Sequence, residues 1–258
     1  MCILMVKSKL FMKRDLTMKT ALITGASRGI GRAGAIELSK DYDLIAICCK
    51  ENTEKLEETA LSMKKNNCEV MTFTGDVSEY NFVSDMVNAI IDKYGHIDTL
   101  INNAGIASIG LFTDVTPSDW QKMLDTNLTS VYNTCHTVAP HMIHEKSGRI
   151  INVSSVWGLV GASCEVCYSA TKGAINSFTK ALAKELAPSN VSVNAIAFGA
   201  VDTDMNSCLT EEDKSALCEE IPFGRMASCA EAALFIKKLS KMPSYFTGEV
   251  VKFDGGWI

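Results

Sequence analysis

Short β-branched apolar runs alternate with amphipathic stretches of helical period from Thr20 to the end of the chain. The runs are ALIT (21–24), DLIAIC (43–48), VMTF (70–73), TLIN (99–102), RIINV (149–153), VSVNAI (191–196) and VVKF (250–253). Between them, residues 30–40, 53–65, 78–94, 117–145 and 168–186 repeat apolar positions at helical spacing. Continuously apolar runs of this length suit strands buried on both faces, and a helix between successive strands makes the crossover that leaves them parallel. The expected architecture is α/β: a doubly wound parallel sheet with helices on both faces. Ser78 and Thr116 read as N-caps, Pro117 as a first helical residue, and Pro188 as the stop to the 168–186 helix. No linker, repeat or low-complexity segment divides the chain, so residues 18–258 are expected to form one domain, with residues 1–17 a poorly ordered extension.

Composition excludes several classes. A net charge of −5 provides no basic footprint for broad nucleic-acid binding. No apolar run approaches the roughly 18–20 residues that cross a membrane. The opening MCILMVKSKLFMKRDLTMK mixes apolar and basic residues, but its apolar stretch is short and a strand follows directly, so no targeting role is assigned to it. Ten scattered cysteines, several inside strand-like runs, fit a reducing cytoplasm better than a disulfide framework. The Cys164/Cys167 pair has no second pair at metal-ligand spacing, and His141 with His144 reads as a solvated helix face; no metal is expected.

The first strand ends in TGASRGIG, with Gly25, Gly29 and Gly31 between strand and helix. Such a turn aims backbone N–H groups and a helix N-terminus at an anion, and its lack of side chains lets a pyrophosphate approach. The spacing is G-x-x-x-G-x-G, not the general G-x-G-x-x-G. The second strand ends Ile47-Cys48-Cys49-Lys50, without the acid that would hold a ribose 2′-hydroxyl. Arg28 and Lys50 could pair with a 2′-phosphate, which favours NADP(H) over NAD(H). Tyr168 and Lys172, in YSATK, lie one helical turn apart, where an ammonium would lower the phenol's pKa toward working range. Ser154 and Ser155 follow the fifth strand, thirteen residues before the tyrosine, on the sheet edge that carries the glycine turn.

Together, TGASRGIG, NNAG (102–105), DTNL (125–128), NVSS (152–155) and YSATK (168–172) resemble the short-chain dehydrogenase/reductase signature in order and separation. The similarity runs from about Met18 to FTGEVVKFDGG. It implies a Rossmann fold with a seven-stranded sheet, assembled as a homotetramer or dimer. It also implies roles: Tyr168 as proton donor to a carbonyl, Ser155 rather than Ser154 as hydrogen-bond partner of that oxygen, Lys172 as modulator of the tyrosine and ligand of the nicotinamide ribose, and Asn127 as support for a water linking the lysine to solvent. The implied cofactor site comprises Gly25, Ser27, Arg28, Gly29, Ile30, Gly31, Lys50, Tyr168 and Lys172. Asp76 and Val77 would hold the adenine, Asn103, Ala104 and Gly105 the adenosine ribose, and Gly199, Val201 and Thr203 the carboxamide and phosphate. Phe198-Gly199 replaces the family's common Pro-Gly. The segment from about Asp202 to Phe223, with Met205, Cys208 and Leu209, would be a substrate lid.

The pattern is most similar to 3-oxoacyl-carrier-protein reductases. A narrower resemblance, in VSSVWGLVGASCEVCYSATKGAINSFTKALAKELAPS (153–189), is to bacterial elongation factor P 5-aminopentanone reductases. It implies a protein-tethered ketone as substrate. Acyl-carrier reduction, steroid or small-ketone reduction, and a non-catalytic NADP(H)-binding regulator are the alternatives; the full Ser-Tyr-Lys-Asn set speaks against the last. An acidic carrier would need a local basic patch, for which Lys146, Arg149 and Lys184 are candidates.

Overall fold

The computed structural model describes residues 18–206 and 209–258. The expectations for residues 1–17 and for Cys208 lie outside the described residues.

The strand-like runs form one sheet of seven parallel strands: β1 (Thr20–Thr24), β2 (Leu44–Cys49), β3 (Glu69–Thr74), β4 (Thr99–Asn102), β5 (Gly148–Ser155), β6 (Val191–Phe198) and β7 (Val250–Phe253). Their order is β3-β2-β1-β4-β5-β6-β7. Strand direction of growth reverses between β1 and β4, so the crevice beyond their carboxyl ends is where a ligand of such a sheet sits. Every residue of β1, β2, β4 and β6 is buried, which accounts for their largely apolar character. Successive residues of one strand serve opposite faces. Leu22, Leu44, Leu100 and Ile150 join the core on one side, and Ile23, Ile45, Ile101 and Ile151 the core on the other.

The helices are α1 (Gly29–Leu38), α2 (Thr53–Lys64), α3 (Tyr80–Tyr94), α4 (Pro117–Leu124), α5 (Ser130–Glu145), α6 (Trp157–Val160), α7 (Val166–Leu186), α8 (Glu211–Glu220) and α9 (Cys229–Leu239). Helices α3, α5 and α7 cover one face through Met86, Val138 and Ile175; α1, α2 and α9 cover the other through Leu38, Leu56 and Ile236. Thr116 caps α4 in a reciprocal box with Asp119, and Pro117 occupies the first turn. Pro188 lies in the 3₁₀ turn Ala187–Ser189 that ends α7.

Two expectations are corrected. Ser78 is not a cap: its backbone N–H and hydroxyl both donate to Asp76 Oδ1, and α3 begins after Glu79 without a side-chain cap. The single helix over 117–145 is interrupted by a π turn at Asp125–Thr129. Inside that turn Asn127 exchanges hydrogen bonds with the backbone of Ile106, which anchors the widened turn to the loop after β4. Helices α8 and α9 have no counterpart in the periodicity reading.

No described helix is long and apolar enough to cross a membrane. Among the described residues all eight cysteines are free thiols, and no three His, Cys, Asp or Glu residues are grouped to hold a metal ion.

Candidate active site

The turn after β1 is built by close approach. Gly25 has a φ of +67°, and a Cβ there would lie 2.8 Å from Ala104 Cα; one on Gly31 would lie 2.2 Å from the Gly25 carbonyl oxygen. Thr24 Oγ1 accepts the backbone N–H groups of Asn103 and Ala104, each at 3.0 Å. Asn103 Nδ2 donates to the carbonyls of Thr24 and Gly25, each at 3.0 Å. The Asn103 amide therefore braces the glycine turn. At the start of α1, Arg28 is extended and offers no side-chain cap, and the first turn carries no acid. The uncapped N–H groups and positive end of the helix dipole fit a phosphate group.

This turn opens onto a cleft of about 1260 Å³ along the carboxyl ends of the strands. The sequence-expected site positions line it, except Gly31 and Asn127, which lie behind its wall. Lys50 and Asp76 prove to be partners: Lys50 Nζ is 2.6 Å from Asp76 Oδ2. Burial alone would raise the Asp76 carboxyl, but hydrogen bonds from Lys50 and Ser78 outweigh it and hold the group below the usual carboxylate range. Lys50 is thus not an uncommitted phosphate ligand, whereas Arg28 is exposed at the cleft rim.

The end of β5 separates the two candidate serines. Ser154 Oγ donates to Asn176 Oδ1 at 2.7 Å and, more weakly, to the Lys172 carbonyl at 3.3 Å, so it pins α7 to the sheet. Ser155 Oγ faces the cleft and accepts the Trp157 N–H at 3.2 Å. Helix α7 brings Tyr168 and Lys172 to the same wall one turn apart. Lys172 Nζ donates to the Val153 carbonyl at 2.9 Å and stands 5.5 Å from the centre of the Tyr168 ring.

The electrostatics correct a simple expectation. Burial pushes the Tyr168 phenol up to about 12; the Ser155 hydroxyl opposes this and the Glu165 charge adds to it. Burial pulls the Lys172 ammonium down to about 8. Desolvation penalises the charged form of each group and here outweighs any acidification of the tyrosine by the lysine.

Asn127 is fully buried. Its Oδ1 accepts the Ile106 N–H at 2.8 Å, and its Nδ2 donates to the Ile106 carbonyl at 2.9 Å and Thr171 Oγ1 at 3.2 Å. The side chain joins the loop after β4 to α7. Gly105 separates it from the lysine: a Cβ there would lie 3.3 Å from Asn127 Oδ1 and 3.6 Å from Lys172 Nζ.

Where a proline would have set the backbone, Phe198 does so by pairing. It ends β6 between Ser155 and Phe253, its carbonyl accepts the Val156 N–H at 2.9 Å, and its ring meets that of Phe253 edge-on at 5.7 Å. Gly199 then packs against Asp254, where a Cβ would lie 2.9 Å from its Cα. Leu209 and Leu217 line the cleft beyond, with Met205.

Glu165 and Trp257 are among the other residues that line the cleft. Glu165, three residues before Tyr168, lies at the start of α7 without capping it. Trp257, near the C-terminus, packs edge-on against Trp157 at 4.7 Å. The signal for Glu165 was its i,i+3 spacing to the tyrosine; for Trp257 no local pattern existed.

A nucleotide-sized cleft at the strand-order switch, a phosphate-receiving helix start and a Ser-Tyr-Lys set on one wall define the class as a dinucleotide-dependent oxidoreductase. Residues 19–214 match the short chain dehydrogenase family, and the chain belongs to that family of NAD(P)(H)-dependent oxidoreductases. It is 41% identical over 248 residues to the uncharacterized oxidoreductase YmfI of Bacillus subtilis, covering 93% of this chain and 98% of that one. It is 38% identical over 247 residues to the 3-oxoacyl-acyl-carrier-protein reductase FabG of Chlamydia pneumoniae, covering 94% and 98% respectively. Among solved structures, a mutant short-chain dehydrogenase/reductase of Serratia marcescens superposes with a TM-score of 0.86 at 28% identity, over 93% of this chain and 97% of that one.

Proposed function

We propose that the chain is an NADPH-dependent ketone reductase in which Tyr168 delivers the proton. The observation that carries this is the convergence of the Ser155 and Tyr168 side chains on one cleft wall, with the Lys172 ammonium behind the phenol. The bound cofactor supplies the hydride. Ser155 donates a hydrogen bond to the carbonyl oxygen and stabilises its developing charge. Tyr168, with a pKa near 12, holds its proton until that oxygen becomes the stronger base, then transfers it to complete the alcohol. Lys172, still protonated at neutral pH, favours the phenolate left behind and returns a proton to it. Preference for NADPH is supported by the neutral Cys49 at the end of β2 and by exposed Arg28. Residues 18–258 are taken as one catalytic domain.

The substrate we favour is a 5-aminopentanone group on elongation factor P, supported by the wording of residues 153–189. Acyl-carrier reduction is the second reading, favoured by the identity to FabG. The basic patch it would use lies badly for it. Arg149 is near the start of β5 and Ser155 at its end, about 20 Å apart along the strand. Arg149 is moreover bound to the carbonyls of Ser240 and Met242. A cytoplasmic setting is supported by the free thiols, and assembly as a dimer or tetramer by exposed Trp120, Tyr132 and Ile143 on α4 and α5.

The test is NADPH oxidation with modified elongation factor P, an acetoacetyl carrier and simple diketones. Tyr168→Phe should lower turnover by about 10²–10⁴-fold while retaining NADPH binding. Tight NADPH binding with no turnover of any carbonyl by the wild type would instead identify a sensor.

A further inference from the structure

Helix α6 is a single turn, and a helix this short does not hold itself. No side chain caps its start, and the carbonyls at its end need donors from outside. The Gly158 carbonyl would ordinarily accept the N–H four residues on, but the Ala162 N–H goes to Ser169 Oγ at 3.1 Å. That carbonyl instead faces α7, within 3.5 Å of where a Cβ on Gly173 would lie. There Asn176 supplies the donor: its Nδ2 meets the Gly158 oxygen at 2.9 Å.

Asn176 is buried, one turn beyond Lys172 on the face of α7 that carries Tyr168. Its two ends have fixed tasks. A carbonyl can only accept, so the amide must present its NH₂ to Gly158 and its oxygen to Ser154. Ser154 Oγ accordingly donates to Asn176 Oδ1 at 2.7 Å. The amide cannot turn over without setting its own oxygen against the Gly158 carbonyl.

The residues just before Gly158 show what this bond serves. The Trp157 N–H donates to Ser155 Oγ at 3.2 Å. An oxygen that accepts this N–H keeps its own proton to donate into the cleft. At 3.2 Å the contact is already at the long end of the hydrogen-bond range, so a small slide of α6 would break it. Asn176 itself does not line the cleft.

We infer that Asn176 is a positioning residue for Ser155: by holding the Gly158 carbonyl it fixes α6, and with it the Trp157 N–H that orients the serine hydroxyl. This rests on ketone reduction at Tyr168 with Ser155 as donor to the carbonyl oxygen, and it holds for whichever ketone is the substrate.

The test is a double-mutant cycle in the whole protein with NADPH. Its substrate is whichever of modified elongation factor P, an acetoacetyl carrier and simple diketones is turned over fastest. Asn176→Asp keeps the shape and the acceptor for Ser154 but removes the amide donor at Gly158. It should lower kcat by about 10-fold while KM and NADPH affinity, read by cofactor fluorescence, change by less than about 2-fold. In a Ser155→Ala background the same substitution should cost less than about 2-fold in kcat, because the group it positions is gone. Ser154→Ala leaves the bond to Gly158 in place and should cost much less than Asn176→Asp. Asn176→Ala, made as a second variant, should show the same coupling to Ser155. Equal losses in both backgrounds, a Ser154→Ala loss as large as that of Asn176→Asp, or failure of both Asn176 variants to bind NADPH would overturn the inference, since each makes Asn176 a general support of α7. Those results leave ketone reduction standing. No turnover of any of these carbonyls by wild type that binds NADPH would reject ketone reduction itself, and the positioning role with it.

Discussion

Lys172 carries two opposed demands. Burial pulls its pKa from the ordinary 10.5 to about 8, so it keeps its proton at neutral pH and loses it as pH rises through about 8. Ketone reduction should therefore decline above pH 8, which a pH profile of kcat/KM checks; a profile flat to pH 10 would remove the lysine from the proton path. The effect on stability has the opposite sign. Between about 8 and 10.5 the unfolded chain binds the proton that the folded chain releases, so this residue's penalty shrinks as pH rises. The shift corresponds to about 3 kcal/mol at neutral pH, less about 1–3 kcal/mol for the Val153 carbonyl that Lys172 satisfies. Lys172→Met should consequently be inactive yet no less stable than wild type at pH 7, with its relative thermal midpoint falling by pH 10. Ser155, Tyr168 and Lys172 were legible in the sequence because helical spacing and the strand end fix where they meet. Their protonation was not, because burial depends on walls contributed by distant segments. Glu165 was hidden for a related reason. Whether an acid at a helix start caps that helix or faces a cleft is decided by backbone angles at one residue and by where Trp157 lies.

At the scale of elements, α6 is a four-residue wedge whose contact with α7 sets the catalytic wall. A Cβ on Gly158 would lie 2.6 Å from the Lys172 carbonyl carbon, and the Gly158 carbonyl accepts Asn176 Nδ2 at 2.9 Å. Backbone rather than a flexible side chain blocks that space, so Gly158→Ala must push α7 outward. The expected cost is about 1–3 kcal/mol of stability, typical of overpacking, with a fall of about 10-fold or more in kcat/KM. Denaturant unfolding and kinetics on the same sample check both; unchanged kinetics would mean that α7 tolerates displacement at Lys172. The strands could be read from the sequence because burial on both faces of the central ones keeps runs such as LIAIC in β2 apolar. Three features could not. The π turn at Asp125–Thr129 follows from the bond between Asn127 and Ile106, residues 21 apart in the chain. Ser78 is diverted from its cap by Asp76. Helix α8 buries none of its residues, so it has no apolar stripe for periodicity to detect.

Over the whole molecule, catalysis and closure lie on different parts of the sheet. The cleft gathers at the carboxyl ends of the strands, whereas the first and last helices, α1 and α9, lock together on one face. Gly34 leaves room there: a Cβ on it would meet Ile236 Cδ1 at 3.6 Å, an ordinary contact. Lys237 Nζ stands 3.0 Å from Glu37 Oε1 and 2.9 Å from Asp41 Oδ2, and Lys241 Nζ 2.7 Å from Asp41 Oδ2. The Lys237 side chain is only 14% exposed, so its contacts are better shielded than those of an open surface pair such as Lys93–Glu69. Burial alone would raise Glu37, but the Lys40 and Lys237 hydrogen bonds hold it below its ordinary 4.5. Asp41 is held below 3.8 by hydrogen bonds from Lys241 and Lys237. With both folded values depressed, the network's contribution is complete above about pH 4.5 and is lost as pH falls through the lower folded values. Lys237→Met keeps the aliphatic stem and leaves Lys40 and Lys241 in place, so it should cost about 1–2 kcal/mol at pH 7, or roughly 2–8 °C in thermal midpoint. At pH 3 the gap to wild type should narrow, because the carboxylates that Lys237 serves are then becoming protonated in both proteins. A gap that stays constant from pH 7 to pH 3 would assign the loss to packing between α1 and α9 and leave the charges without a part in closing the fold.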